Sequence, residues 1–219
     1  MKTATRKPRR TAPQATDTTR QALIEAATTV FAEHGYVRGS VRQITRAAGA
    51  NQAAITYHFG GKDELYRTIL RQAIQAFGQH SLINAENVHE LDLAEGVRRI
   101  IRQFLLPLLE RGRLGRYVQI FGWETIDPSP IYTKFFLEER PQVFTAIEQF
   151  LLRCLPPTDD PAHVSFTAFW LIQQPIAVVR NAARLQQPPY EMTFDEAGID
   201  RLVERLAGLS LHGLTVASA

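Results

Sequence analysis

Apolar residues recur along most of the chain every three or four positions, the period of an α-helix with one buried face. Leu23, Ala27, Val30 and Phe31 fall at i, i+4, i+7 and i+8. Near the other end Ile199, Leu202, Val203, Leu206 and Leu209 form a similar stripe, which continues to Leu214. Two-residue alternation closed by hairpin turns is not evident. The pattern predicts an all-α protein of about nine helices, over residues 18–34, 41–47, 51–58, 62–84, 93–110, 114–125, 130–155, 161–186 and 194–213.

Start signals accompany these segments. Thr18 with Gln21, Ser40 with Gln43, and Thr193 with Glu196 have capping-box spacing, in which a hydroxyl accepts from the N3 amide and the longer side chain reaches back. Asp92 followed by Glu95 resembles the same device. Ser129-Pro130 and Asp160-Pro161 read as a cap followed by proline at the first helical position. Pro107 and Pro175 fall inside predicted helices, where each removes a backbone hydrogen bond and predicts a kink.

One stretch resists the simple core pattern. In "AGANQAAITYHFGGK", residues 48–62, Ile55, Tyr57, His58 and Phe59 share a helix of barely two turns. At about 100° per residue Ile55 and Phe59 point one way, toward Ile44, Ala48 and the first stripe, while Ala53 and Tyr57 point the other. Gly49 stands where a tight turn between helices often takes a positive φ, and Asn51 can cap the second of the two helices. Two short helices about a glycine-containing turn, resting on a longer one, make a helix-turn-helix.

Charge changes the picture further. Residues 1–62 carry ten Lys and Arg against Asp17, Glu25 and Glu33, a balance of +7, whereas the whole chain is +3. A basic head on a mildly acidic body points to a polyanion partner for the head alone. The outward face of 51–59 suits the major groove of double-stranded DNA. Ala53 and Ala54 permit close approach, Gln52 can pair with adenine, and Thr56 can meet thymine. Tyr57 and His58 are placed for phosphates or base edges, and Ser40, Arg42 and Lys62 for the backbone. Residues 1–16, with five cations and two prolines, are expected to be a disordered basic tail.

"SVRQITRAAGANQAAITYHFGGKDELY" resembles the DNA-binding segment of the TetR family: Ser or Thr, a short helix, Ala-Gly, then Tyr-x-His-Phe or a near relative, and a lysine three residues on. The likeness covers roughly 18–66. Thr45 and Ala50 depart from the family's usual alanine and valine, and Thr56 replaces a frequent aromatic, so base preference does not carry over. The "ANQAAI" helix, with "WETIDPSP" further on, also resembles the CecR-like branch. The resemblance implies a head at 17–62 and a helical effector-binding and dimerisation domain at 63–219. It also implies a homodimeric transcriptional regulator, a repressor released from its operator by a small molecule.

In the body, Tyr117, Gln119, Phe121, Trp123 and Phe144 combine aromatic and amide groups with Phe166, Trp170, Gln173 and Gln174. Apolar walls with a few polar anchors suit a small lipophilic or aromatic effector, although aromatics at helical spacing are ordinarily core. Ile199, Leu202, Val203, Leu206 and Leu209 are expected to pack on the 161–186 helix, and in the TetR pattern this pair meets its two-fold copy as a four-helix bundle. A dimer then reads a roughly palindromic operator.

Other function classes find little support. Six histidines show no HExxH or other metal spacing, Gly60-Gly61-Lys62 is not a full phosphate loop, and no G-x-S-x-G elbow occurs. No enzyme activity, metal or cofactor is expected; a DNA-binding protein without an effector is the nearer alternative. Cys154 is the only cysteine and reads as a small apolar residue. With 45% hydrophobic and 21% charged residues, no signal-like N-terminus and no membrane-length apolar run, a cytoplasmic protein without membrane contact is expected.

Overall fold

The computed structural model describes residues 12–79, 82–83, 87, 89–109, 112–139, 142–160 and 162–216; among them every regular element is helical. α1 (Ala12–Arg38) already includes residues 12–16 of the expected tail, and the remainder, 1–11, lies outside the described residues. Thr18 therefore sits inside a helix instead of capping one. The helical backbone is interrupted at Gly35, whose φ of 71° and ψ of 173° favour glycine.

α2 (Val41–Ala48), α3 (Ala53–Phe59) and α4 (Lys62–Gln79) come next. The predicted end of the 62–84 helix falls partly outside the described residues. α5 (Leu93–Leu105) is capped by Asp92, whose carboxyl oxygen accepts from the Glu95 amide at 2.8 Å. It gives way to a 3-10 turn, Leu106–Leu108, so Pro107 ends a helix where a kink was expected. α6 (Arg113–Ile126) leads to α7 (Pro130–Glu139), where the Ser129 hydroxyl accepts from the Tyr132 amide at 3.2 Å.

The count rises from nine to eleven α-helices among the described residues. The expected 130–155 helix is two, α7 and α8 (Gln142–Cys154). Pro141 has no amide hydrogen and disfavours helical backbone at the residue before it, a break that continuous apolar periodicity conceals. The expected 161–186 helix is α9 (His163–Arg180), which runs through Pro175, and the single turn α10 (Ala182–Leu185). α11 (Glu196–Val216) is capped not by Thr193 but by Asp195, which accepts from the Gly198 amide at 2.7 Å.

Two apolar clusters result. One joins α1 to α4 with α6 and α7, and holds Leu23, Phe31, Ile44, Ile55, Tyr66 and Tyr117. The other joins α5, α8, α9 and α11. Gly96 of α5 allows the ring of Phe150 to come so close that a Cβ there would lie 2.0 Å from it.

α11 corrects the expected pairing. Its main partner is α5, not α9. Ile199, Leu202 and Val203 are spent in the protomer's own core, and ion pairs of Arg98 with Glu204 and of Arg102 with Glu196 and Asp200 flank the seam. All three side chains are covered within the protomer. Leu206 is half-buried, Leu209 is exposed, and the side chain of Leu214 lies outside the described residues.

Candidate nucleic-acid interface and the cavity behind it

Local chemistry sets the head's geometry. The Ser40 amide donates to Gln43 Oε1 at 2.9 Å and the Gln43 amide to Ser40 Oγ at 3.2 Å, a complete capping box. Ser40 is thus engaged first as a cap, and Arg42 beside it is exposed. α2 closes at Gly49 with φ 62° and ψ 30°, a left-handed cap that returns its amide toward Thr45 and Arg46. Gln52 holds the N-cap position of α3 without a side-chain cap bond, and Asn51 supplies one instead: its Oδ1 accepts from the Ala53 amide at 3.0 Å.

α3 is anchored on one side only. Ile55 is 1% exposed, and Phe59 is half-buried against the same cluster with the Arg20 guanidinium over its ring at 5.0 Å. Gln52, Ala53 and Thr56 are exposed, and Tyr57 is 78% exposed. Ala54 leans on the core and His58 is half-buried, its ring 4.9 Å from that of Tyr57. The outward face is therefore narrower than the sequence pattern implies, centred on Ala53, Thr56 and Tyr57.

Lys62 lies at the start of α4 with its ammonium 4.2 Å from the centre of the Tyr36 ring. Burial lowers its pKa, against the opposing pull of Asp63. The Tyr36 hydroxyl donates to Asp63 at 2.6 Å, and burial followed by this carboxyl group raises its pKa. The lysine is held on a ring face within a half-buried corner of the head.

α6 forms the floor under that head. Trp123 Nε1 donates to the Ala32 carbonyl at 2.9 Å, and a Cβ on Gly35 would lie 3.2 Å from its indole. Glu124 is 2% exposed; it accepts from the Tyr66 hydroxyl at 2.5 Å and from the Ser129 amide and hydroxyl at 2.5 and 3.0 Å. Glu25 of α1 meets Arg113 and Arg116 of α6.

The other side of α6 faces a cavity of about 340 Å³, within the range that holds small organic ligands. Val118, Phe121 and Thr125 supply its α6 wall, and α4, α5, α7, α8 and α9 the rest. Of the expected effector residues, Phe121, Phe144 and Gln173 line it. Tyr117, Gln119, Trp123, Phe166, Trp170 and Gln174 do not. Tyr117 is core and Trp123 holds α1; Gln119 is exposed, as are Phe166 and Trp170. Gln174 donates to the Trp170 carbonyl of its own helix at 3.1 Å. Phe77, Phe104, Tyr132 and Phe136 also line the cavity and were missed, because no local spacing distinguishes a cavity ring from a core ring.

Fold and site together define an all-helical protein whose helix-turn-helix head is fastened along one helix to a cavity-bearing body. Residues 23–69 match the family model for bacterial regulatory proteins of the tetR family. The HTH-type transcriptional repressor AcnR of Corynebacterium efficiens is 35% identical over 82 residues, which are 37% of this chain and 40% of that protein. The chain thus spans less than half the length of the first curated relatives it matches. The HTH-type transcriptional regulator SrpR of Pseudomonas putida is 40% identical over 161 residues, 71% of this chain and 70% of that one. Among solved structures, the regulator FadR of Bacillus subtilis in complex with stearoyl-CoA is 16% identical with a TM-score of 0.62, covering 87% of this chain and 96% of its own. The chain belongs to the TetR family.

No described helix is long and apolar enough to cross a membrane. Cys154 is half-buried against the second cluster, and burial raises its thiol pKa.

Proposed function

We propose that the protein is a dimeric repressor that binds a roughly palindromic DNA operator and releases it when a small lipophilic or aromatic molecule fills the cavity. One observation carries the reading: α3 buries Ile55 and leaves Ala53, Thr56 and Tyr57 uncovered, a face of small, hydroxyl and aromatic groups on a basic head. Laid in a major groove, Gln52, Thr56 and Tyr57 meet base edges. Ser40, Arg42, His58 and Lys62 meet phosphates, and Ala53 and Ala54 allow the close approach. The head, 17–62, reads DNA and the body, 63–219, binds the effector and dimerises; "WETIDPSP" favours placement in the CecR-like branch.

Release is a matter of linkage. The head and the cavity lie on opposite sides of α6, so a ligand that prefers one setting of α6 alters the spacing of two recognition helices. A preference of about 100-fold, about 2.7 kcal/mol, is ample for a switch. Phe166 and Trp170 of α9, with Leu209 of α11, are large, apolar and exposed, and support a two-fold interface there.

Genomic footprinting with the purified protein tests the reading. Protection of a few inverted repeats, their half-sites about 34–36 Å apart, is the expected result. Uniform protection of unrelated sequences would refute it.

A further inference from the structure

Six rings of the cavity wall form one continuous chain of contacts. Phe77 of α4 lies 6.3 Å from Phe104 of α5 and 5.9 Å from Phe121 of α6, centre to centre. Phe121 meets Phe136 of α7 edge-to-face at 6.4 Å, and Phe136 meets Tyr132 at 4.5 Å and, again edge-to-face, Phe144 of α8 at 5.5 Å. Five successive α-helices thus each bring a ring to the same space. Aromatic groups prefer offset and edge-to-face partners, and such pairs are held beyond what their buried area supplies. A planar aromatic guest finds that surplus in this wall, whereas a saturated guest of equal size gains burial alone.

The wall offers a charged group no buried partner. Among the described residues no lysine, arginine or histidine lines it. Glu148, the one carboxyl group there among them, belongs to the seam between α8 and α9. Its 2.7 Å bond from Ser165 is exposed, and both residues also line an open groove beyond that seam, so the carboxylate is screened by water. Burial, and then Glu124, raises the Tyr132 pKa, so that phenol keeps its proton. The Thr125 hydroxyl donates to the Phe121 carbonyl at 2.9 Å, within its own helix, and Gln173 adds an uncharged amide. An ion carried among these rings leaves water without a counter-charge, a loss greater than the attraction of a ring face for a cation.

Building on the reading that this cavity holds the effector, we propose that its ligand is an uncharged, planar aromatic compound of fused rings, held by the chain of rings and by no ionic contact. Fatty acids and their thioesters, aromatic acids, aromatic amines and saturated lipophiles of equal size are thereby disfavoured.

Four probes test this: 2-naphthol, its saturated counterpart decahydro-2-naphthol, 2-naphthoate and 2-naphthylmethylamine, each titrated calorimetrically into the full chain at neutral pH. 2-Naphthol is expected to bind at least about threefold tighter than decahydro-2-naphthol, the surplus of ring contacts over burial. It should bind at least about tenfold tighter than either the acid or the amine. Phe136→Leu and Phe121→Leu keep an apolar wall but interrupt the chain of rings, so either should bring 2-naphthol to the level of its saturated counterpart while both alcohols still bind; thermal melting checks that each variant is folded. A charged probe that binds as tightly as 2-naphthol, a saturated probe that does so, an aromatic preference untouched by both substitutions, or no binding of any probe at millimolar concentration overturns the inference. Operator binding without probe is measured in parallel. A protein that takes 2-naphthol but not DNA keeps this inference and loses the repressor reading, and the opposite result does the reverse.

Discussion

The Tyr66 hydroxyl donates to Glu124 across 2.5 Å, a bond between α4 and α6 in which both residues are buried. Burial, then the neighbouring carboxyl group, raises the Tyr66 pKa, so the phenol remains a donor. Glu124 meets Tyr66 and Ser129 as donors, and Ser129 in turn caps α7, which contributes Tyr132 to the cavity. Tyr66→Phe should lower unfolding stability by about 1.5–3 kcal/mol, the range for a hydrogen bond to a charged group. It should also reduce the effect of a cavity ligand on operator affinity. Urea unfolding and fluorescence anisotropy with labelled operator measure the two; an unchanged midpoint would mean the bond adds nothing.

Ile55 and Tyr57 are two residues apart and energetically opposite. Ile55→Ala empties a fully buried site and should cost about 2–5 kcal/mol. Tyr57→Ala removes an exposed ring and should change stability by no more than about 0.5 kcal/mol. Operator affinity is expected to fall in both. A thermally fragile Tyr57→Ala, or a robust Ile55→Ala, reverses the assignment of faces.

Lys62→Ala should weaken binding to all sequences and lower the salt slope of log K by about 1, the signature of one lost phosphate contact. It also removes the ammonium from the Tyr36 ring, at about 0.5–1 kcal/mol of stability. Gln52→Ala should instead change which base is preferred. Titrations on operator and random duplex over a range of salt separate the two; equal loss on both duplexes for Gln52→Ala would remove it from base reading.

Leu202 and Leu209 lie on one helix with different fates. Leu209, 68% exposed, should tolerate glutamate in the protomer while dimers give way to monomers in sedimentation velocity. Leu202→Glu buries a charge against α5 and should unfold the body. A Leu209→Glu protein that stays dimeric would place the two-fold contact elsewhere.

The head was legible because its determinants are local. The Ser40–Gln43 box, the left-handed Gly49 and the inward Ile55 all depend on neighbours within a few residues, which the sequence displays in order. Asp92 could be read in the same way. The body was less legible because its partners are distant in sequence. The stripe marked a helix face whose first part, Ile199, Leu202 and Val203, is buried while Leu209 is exposed, and periodicity does not say whether α5, α9 or a second copy covers it. Trp123 looked like a ligand contact and instead anchors α1. The cavity rings come from several helices and share no spacing. Two local clues went unused: Pro141, since a proline disfavours helix at the residue before it, and Asp195, three residues before the Gly198 amide it caps.

The seat of Trp123 against Gly35 bears on how such proteins can be recombined. A chimera that grafts residues 12–62 onto a foreign body would sever the peptide chain at the first residue of α4 and leave the Ala32 carbonyl and Glu25 facing strangers. The transplantable unit is discontinuous: the reading head together with the strip of α6 that bears Arg113, Arg116, Trp123 and Glu124. Hybrids built on that composite boundary should transmit a new effector's signal, whereas those cut at residue 62 should bind DNA and ignore it.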